Sequence, residues 1–232
     1  MKLIKKVIIF ALLILIVCTG FIIYKGYKMY DNAITEIDLE TKVVEIRSGK
    51  DYVYFENLPE YYVKAVVAVE DNRFYNHKGI DIISLGRAII NNIKSKKIVE
   101  GGSTITQQLA KNMYFTQEKK FSRKIAELFL VYDLEKNYTK EDIFELYVNI
   151  SYFGDGYYGI GEAARGYLKK EPKDMTLLES TLLAGIPNAP SVYAPTKNPD
   201  LAIERQKQVI SSMVTVGDLT QEEAENVYSK LE

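Results

Sequence analysis

Two glutamates stand where carboxylates can do chemistry. Glu70, followed at once by Asp71, closes the apolar stretch VKAVVAV (63–69), and Phe74 and His77 come within the next two turns. A carboxylate at the end of a buried apolar face is poorly hydrated, which makes it a usable general base. The same pattern also describes an acidic pair exposed at a helix C-terminus. Glu127 lies one turn after Arg123, so the two share a helix face, as part of a site or as a surface i, i+4 ion pair. His77 is the single histidine, and beside Gly79 it reads as a structural hydrogen-bonding residue rather than a catalyst. Between Lys94 and Lys124 eight basic residues (Lys94, Lys96, Lys97, Lys111, Lys119, Lys120, Arg123, Lys124) face only Glu100 and Glu118. Inside this run lies Gly101-Gly102-Ser103-Thr104, a turn that leads free backbone N–H groups into a helix start and suits an anion. Two candidate carboxylates beside an anion-binding stretch fit chemistry on a sugar or a phosphate ester. One carboxylate deprotonates a hydroxyl while the cations hold a departing anion.

Composition narrows the classes. With one cysteine and one histidine in 232 residues, neither a disulfide framework nor a Cys/His zinc site can be built. A net charge of −1 argues against a generic nucleic-acid binder. That near-neutral total hides an uneven distribution, because the stretch from Asp200 to Glu232 carries seven acidic and three basic residues.

The elements that must position these groups begin with a membrane segment. Val7 to Ile23 is a 17-residue run without charge, at the short end of what crosses a bilayer as a helix. Lys2, Lys5 and Lys6 precede it, so the positive-inside rule places the N-terminus in the cytoplasm. No small-x-small site follows clearly, which favours an uncleaved anchor over a signal peptide. The expected layout is a cytoplasmic stub (1–6), a transmembrane anchor (7–24), a linker with short strands (25–56, from VVEIR and YVYF) and one catalytic domain (57–232).

The domain reads as mainly helical. A helix follows Asn57 and Pro59 and carries Tyr62, Val63, Val66 and Val67. Asp81 caps a second with Ile82, Leu85, Ile89 and Ile93 inward, and Ser103 or Thr104 caps a third. Ser122 opens a fourth, with Ile125, Leu128, Phe129 and Tyr132 on one face. Thr139-x-x-Asp142, Thr176-x-x-Glu179 and Thr220-x-x-Glu223 have capping-box spacing, and a further helix spans 201–214.

Six ordered motifs then carry a resemblance. They are Glu70-Asp71-x-x-Phe74-x-x-His77-x-Gly79; GGSTITQQLAKN (101–112); Arg123-Lys124-x-x-Glu127; ELYVN (145–149) with Phe153-Gly154; GEAA (161–164); and AGIPNAPS (184–191). Together they resemble the peptidoglycan glycosyltransferases, the transglycosylase domain of class A penicillin-binding proteins, over about residues 58–195. The resemblance implies a lysozyme-like, mainly α fold and polymerisation of lipid II into β-1,4 glycan, with inversion and release of undecaprenyl diphosphate. It implies Glu70 as general base and Glu127 as the group acting on the leaving-group side. Lys111, Arg123 and Lys124 would hold the diphosphate. Gly102, Ser103, Thr104, Gln107, Gln108, Asn112 and Asn149 would bind substrate, and Asp71, Phe74 and His77 would shape the wall around Glu70. It further implies a membrane-associated region over residues 80–100, lipid II and the growing lipid-linked chain as partners, contact with membrane lipids and cell-wall synthesis proteins, and no nucleic acid. A divalent cation, Mg or Mn, would enter through the substrate diphosphate.

Two positions depart from the family pattern. Glu118-Lys119-Lys120 stands where many members carry an arginine, and Tyr167-Leu168 where Tyr-Phe is common. No serine is followed three residues later by lysine, so a monofunctional transglycosylase is expected. A lysozyme-like hydrolase would share the fold and a glutamate but has no need of a cationic diphosphate site, and an idle scaffold would not need both Glu70 and Glu127.

Overall fold

The computed structural model describes residues 2–97, 101–115 and 120–231. Glu100, Glu118 and Lys119, which enter the charge pattern and the loop comparison above, lie outside the described residues.

Helix α1 (Lys2–Glu36) carries the apolar run, whose side chains are all exposed, and is long and apolar enough to cross a bilayer. Its 35 residues span about 52 Å, well beyond a hydrocarbon core. No glycine or proline interrupts the chain between Tyr27 and Glu36, so the helix continues where a linker was expected. Asp38 then caps α2 (Leu39–Arg47), accepting from the Thr41 N–H at 2.9 Å. The Val43-Val44 pair that suggested a strand is split between two helix faces, with Val43 buried and Val44 exposed. The YVYF segment stays non-helical only up to Tyr54, since Phe55 opens a single 3-10 turn, and side chains rather than a neighbouring strand hold its backbone. Asn149 accepts from the Val53 N–H and donates to its carbonyl, both at 2.8 Å, and Glu145 accepts from the Phe55 N–H at 2.7 Å. The expected strands are therefore absent among the described residues. Only an isolated bridge joins Tyr152 and Tyr158.

Two groups of helices make the core. α3 (Glu60–Glu70) packs with α9 (Leu177–Gly185) and α11 (Pro199–Val216). α5 (Ile105–Tyr114) packs with α6 (Phe121–Asn137) and α7 (Lys140–Ile150), while the short α8 (Gly159–Ala163) lies against α7 and the short α10 (Pro190–Tyr193) against α11. Tyr62, Phe74, Leu109, Leu130, Phe144, Tyr147, Leu183 and Val209 are buried in one continuous apolar cluster. Capping boxes begin α5 (Thr104 with Gln107), α7 (Thr139 with Asp142), α9 (Thr176 with Glu179) and α12 (Gln221–Tyr228; Thr220 with Glu223). Each box satisfies two otherwise orphaned backbone donors.

Two expected inward faces differ from the reading above. In α4 (Ile82–Ser95) Asp81 caps as expected, yet only Ala88 is buried, and Ile82 and Ile93 are 77% and 71% exposed. Its apolar stripe points away from the core. In α6 the core-facing residues are Ala126, Glu127, Leu130, Val131 and Leu134, and Tyr132 is exposed. Phe129 stacks instead on Tyr27 and Tyr30 of α1, so α6 is sandwiched and carries two apolar faces.

Candidate active site

A cleft of about 770 Å³ opens where α3 ends between the two helix groups. The C-terminus of α3 contributes Glu70 and Asp71; α4 contributes Ser84 and Arg87; the glycine turn and α5 contribute Gly102, Ser103, Thr104, Gln107, Gln108 and Lys111. Lys124 reaches in from α6, and Arg205, Gln208 and Ser212 from α11. Pro187, Asn188 and Tyr193, from and just beyond the AGIPNAPS motif, close the far side.

Glu70 is almost enclosed, and both of its oxygens are held. Arg205 Nη2 donates to Oε1 at 3.1 Å, and Gln108 Nε2 donates to Oε2 at 2.9 Å. Behind Gln108, the Tyr147 hydroxyl donates to Oε1 of the amide at 3.3 Å and so fixes which end of it faces the carboxylate. Burial pushes the Tyr147 phenol well above its ordinary range, so it remains a donor at working pH. Each carboxylate oxygen keeps a second lone pair, so Glu70 is immobilised without being saturated. The exposed-pair alternative for Glu70 and Asp71 does not describe this geometry.

Asp71 turns the other way and ties three segments together. It accepts from His77 Nε2 at 2.9 Å and from the Ile105 N–H, at the first turn of α5, at 3.1 Å. Thr104 Oγ1 donates to the Gly79 carbonyl at 2.6 Å while accepting from the Gln107 N–H. Gly79 itself has φ +81°, and a Cβ there would lie 2.3 Å from Val131 Cγ1, which accounts for glycine in the motif. Asp71, His77 and Asp81 form a buried cluster, but their oxygens are already engaged. Asp81 accepts from the Ile83 and Ser84 N–H groups, the Ser84 hydroxyl and Arg73.

The second carboxylate lies beneath the cleft rather than in it. Glu127 is 0% exposed and ion-pairs with Arg123, and with Lys124 at 2.9 Å. Lys124 Nζ also donates to Ser103 Oγ at 3.1 Å, which links the glycine turn to α6. Lys111 sits in the same electrostatic neighbourhood. Burial lowers its pKa, with the Glu127 carboxylate opposing and Arg123 and Lys124 reinforcing the shift. The surface i, i+4 pair considered for Glu127 is thus a buried one. Two cations pair with this carboxylate and Lys111 lies within its field, and ammonium and guanidinium groups do not ligate metals. The donor set therefore does not fit a protein-held divalent cation at this end.

Other expected site residues lie elsewhere. Phe74 is fully buried beside Tyr75 and Phe144, and His77 is buried behind Asp71. Asn112 is exposed on α5 and outside the cleft lining. Asn149 is spent on Val53 and on the Glu145 carbonyl, away from the cleft. The reading of the sequence missed Arg205, which stands in the acidic C-terminal stretch beyond the quoted motifs. Its signal was weak: it is one of only three basic residues there. Gly185 of AGIPNAPS makes room for it, since a Cβ there would lie 2.9 Å from Arg205 Cγ.

Among the described residues, this helical domain has a large cleft that joins a held carboxylate to a buried carboxylate–cation cluster, an arrangement suited to group-transfer chemistry. Residues 39–214 match the family described as Transglycosylase, and the chain belongs to that family. Penicillin-binding protein 1F of Bacillus subtilis (strain 168) is 40% identical over 239 residues, covering 95% of this chain and 33% of that protein. Penicillin-binding protein 4 of the same organism is 40% identical over 195 residues, covering 84% and 31%. Penicillin-binding protein 1A of Aquifex aeolicus (strain VF5) is 42% identical over 179 residues, covering 77% and 25%. The chain thus spans about a third or less of the length of these curated relatives.

Proposed function

We propose that this protein is a membrane-anchored peptidoglycan glycosyltransferase that polymerises lipid II with inversion and release of undecaprenyl diphosphate. The observation that carries the reading is that one cleft is lined both by Glu70 and by the cations Lys111 and Lys124. A sugar hydroxyl placed against Glu70 would lose its proton to a carboxylate already fixed by Arg205 and Gln108, so no side-chain reorganisation is needed as it attacks. The anomeric carbon–oxygen bond to the diphosphate breaks as the new glycosidic bond forms on the opposite face. Lys111 and Lys124 meet the charge that develops on the departing diphosphate, and Arg123 adds to the field from below. Glu127 acts through these cations: its buried carboxylate sets their positions and does not itself face the cleft.

The same reading orients the anchor with its N-terminus in the cytoplasm and the cleft outside, next to the leaflet that presents the lipid-linked substrate. The exposed apolar stripe of α4 would rest on that leaflet. The test is polymerisation of lipid II by the full chain in detergent. Glu70→Gln should abolish polymer formation per folded molecule, with turnover normalised to the folded fraction because the substitution also removes the counter-charge of Arg205. Equal polymer from that variant would overturn the assignment of the base, and release of soluble fragments from preformed glycan would replace the reading with a hydrolase.

A further inference from the structure

We infer that the part of α1 just beyond the apolar run is a positioning element for the catalytic cation cluster, so that the seating of the membrane helix sets the geometry of Arg123, Lys124 and Glu127. The inference rests on the proposed reading of that cluster as the diphosphate end of the cleft. Gly26 is a point of close backbone contact. A Cβ at this position would lie 2.5 Å from both Cβ and Cγ2 of Ile125 and 3.0 Å from the Ser122 carbonyl, so the α1 backbone rests directly on α6. One residue on, Tyr27 meets Phe129 edge to face with ring centres 5.5 Å apart, and Tyr30 reaches the same ring at 5.5 Å. The Tyr30 hydroxyl donates to Asp133 Oδ2 and ends the stripe. On α6 the contacted residues are 122, 125, 129 and 133, a continuous ridge at helical spacing.

That ridge is interleaved with the site. Ile125 stands between Lys124 and Ala126, and Ser122 precedes Arg123, so any shift of α6 at the Gly26 contact carries the cations with it. Ala126, Leu130 and Leu134 fix the opposite face of α6 in the core, while Phe121 at its first position is exposed. The N-terminal turns of α6, which carry all three charged groups, are therefore clamped between the core and α1. A side chain at Gly26 must push α6 or tilt α1. Gly26, Tyr27 and Tyr30 are not part of the cleft lining, and their part in the reaction is to position residues that are.

The test uses the full-length protein in detergent, with binding of undecaprenyl diphosphate as a readout independent of turnover. Gly26→Leu should weaken that binding roughly tenfold and raise the KM for lipid II in parallel, as expected when charged groups move by a fraction of an ångström to an ångström. Adding Ile125→Ala to Gly26→Leu should restore binding to within about threefold of wild type, because the space removed on one helix is returned on the other. Tyr30→Phe, which fills the same volume, should weaken binding by about twofold and keeps the test open if Gly26→Leu does not fold. Unchanged binding in Gly26→Leu and Tyr30→Phe, or a loss that Ile125→Ala does not relieve, would overturn the inference. So would a wild-type protein that does not bind the lipid diphosphate. Polymer formation by wild type tests the proposed function separately. A wild type that binds the diphosphate, shows the Gly26 effect and makes no polymer would sink that function and leave the positioning role standing.

Discussion

Arg205 and Gln108 hold Glu70 from two sides, and the two bonds make different demands. The guanidinium balances a largely buried carboxylate, and the amide orients it. Replacing Arg205 by Met should therefore lower kcat by about 10- to 100-fold and also cost stability, because it leaves a buried charge without its partner. Arg205→Lys keeps the charge but loses the planar fork, and should retain activity between wild type and Arg205→Met in the lipid II assay. Equal turnover in Met, Lys and wild type would show that Glu70 needs no such support. Lys111 offers a test through pH. Burial disfavours its charged form, so the ammonium loses its proton at lower pH than an ordinary lysine. The diphosphate end then weakens as pH rises through that lowered value, which places the alkaline fall of kcat/KM early. Lys111→Arg, charged throughout, should move that fall to higher pH; an unmoved alkaline limb would exclude Lys111 as its source. Glu127 shows why Arg123→Ala reads poorly by activity alone. The substitution also leaves a fully buried carboxylate with Lys124 as its remaining ion-pair partner, so turnover needs normalising to the folded fraction.

At the scale of elements, the helix starts were the most legible feature. Thr139, Thr176 and Thr220 announced themselves through an acid three residues on, since a capping box is a local contract between neighbours in sequence. Thr104 was separated from Ser103 only by the structure, where it donates to the Gly79 carbonyl. What local pattern could not decide were faces and partners. The β-branched VVEIR stretch became α2 because Asp38 caps it and Val43 finds the core, a tertiary outcome that outweighs a weak propensity. The α6 face was misassigned because α1, a distant segment, covers its second apolar side. Glu70, Lys111 and Lys124 were found through motifs, whereas Arg205 arrives from a helix with no local mark of function. The Gly79 turn is where an element-scale prediction is sharpest. Gly79→Ala meets both a positive φ and a 2.3 Å overlap with Val131, and should cost about 2–4 kcal/mol in denaturant unfolding. A loss below about 0.5 kcal/mol would show that the turn relaxes freely.

At the scale of the molecule, the exposed apolar stripe of α4 and the exposed run of α1 are the two surfaces that the proposed function brings to the membrane. The chain contains no tryptophan, so a single reporter is unambiguous. Ile90→Trp, placed at an exposed position on α4, should show blue-shifted emission in anionic vesicles and quenching by lipids brominated along their acyl chains. Emission typical of water, unaffected by the brominated lipids, would show that α4 stands clear of the bilayer. The charge asymmetry seen in sequence becomes a spatial one, with Lys111, Arg123 and Lys124 on α5 and α6 and most of the C-terminal acids on α11, α12 and the residues around them.

The contact at Gly26 also fixes a length. From Ile23, the last residue of the apolar run, to Gly26, where α1 rests on α6, is three residues of continuous helix, about 4.5 Å of rise. A catalytic domain on so short and stiff a post has no slack with which to stoop or stretch. Under the proposed function its cations would stay near one depth, that of the phosphates in the adjoining leaflet, and substrate would come to them by sliding in the plane of the membrane. Seven residues of helix inserted between Ile23 and Gly26 would leave every contact within the domain intact and lift it by about 10 Å, enough to separate the cleft from the layer in which its substrate travels.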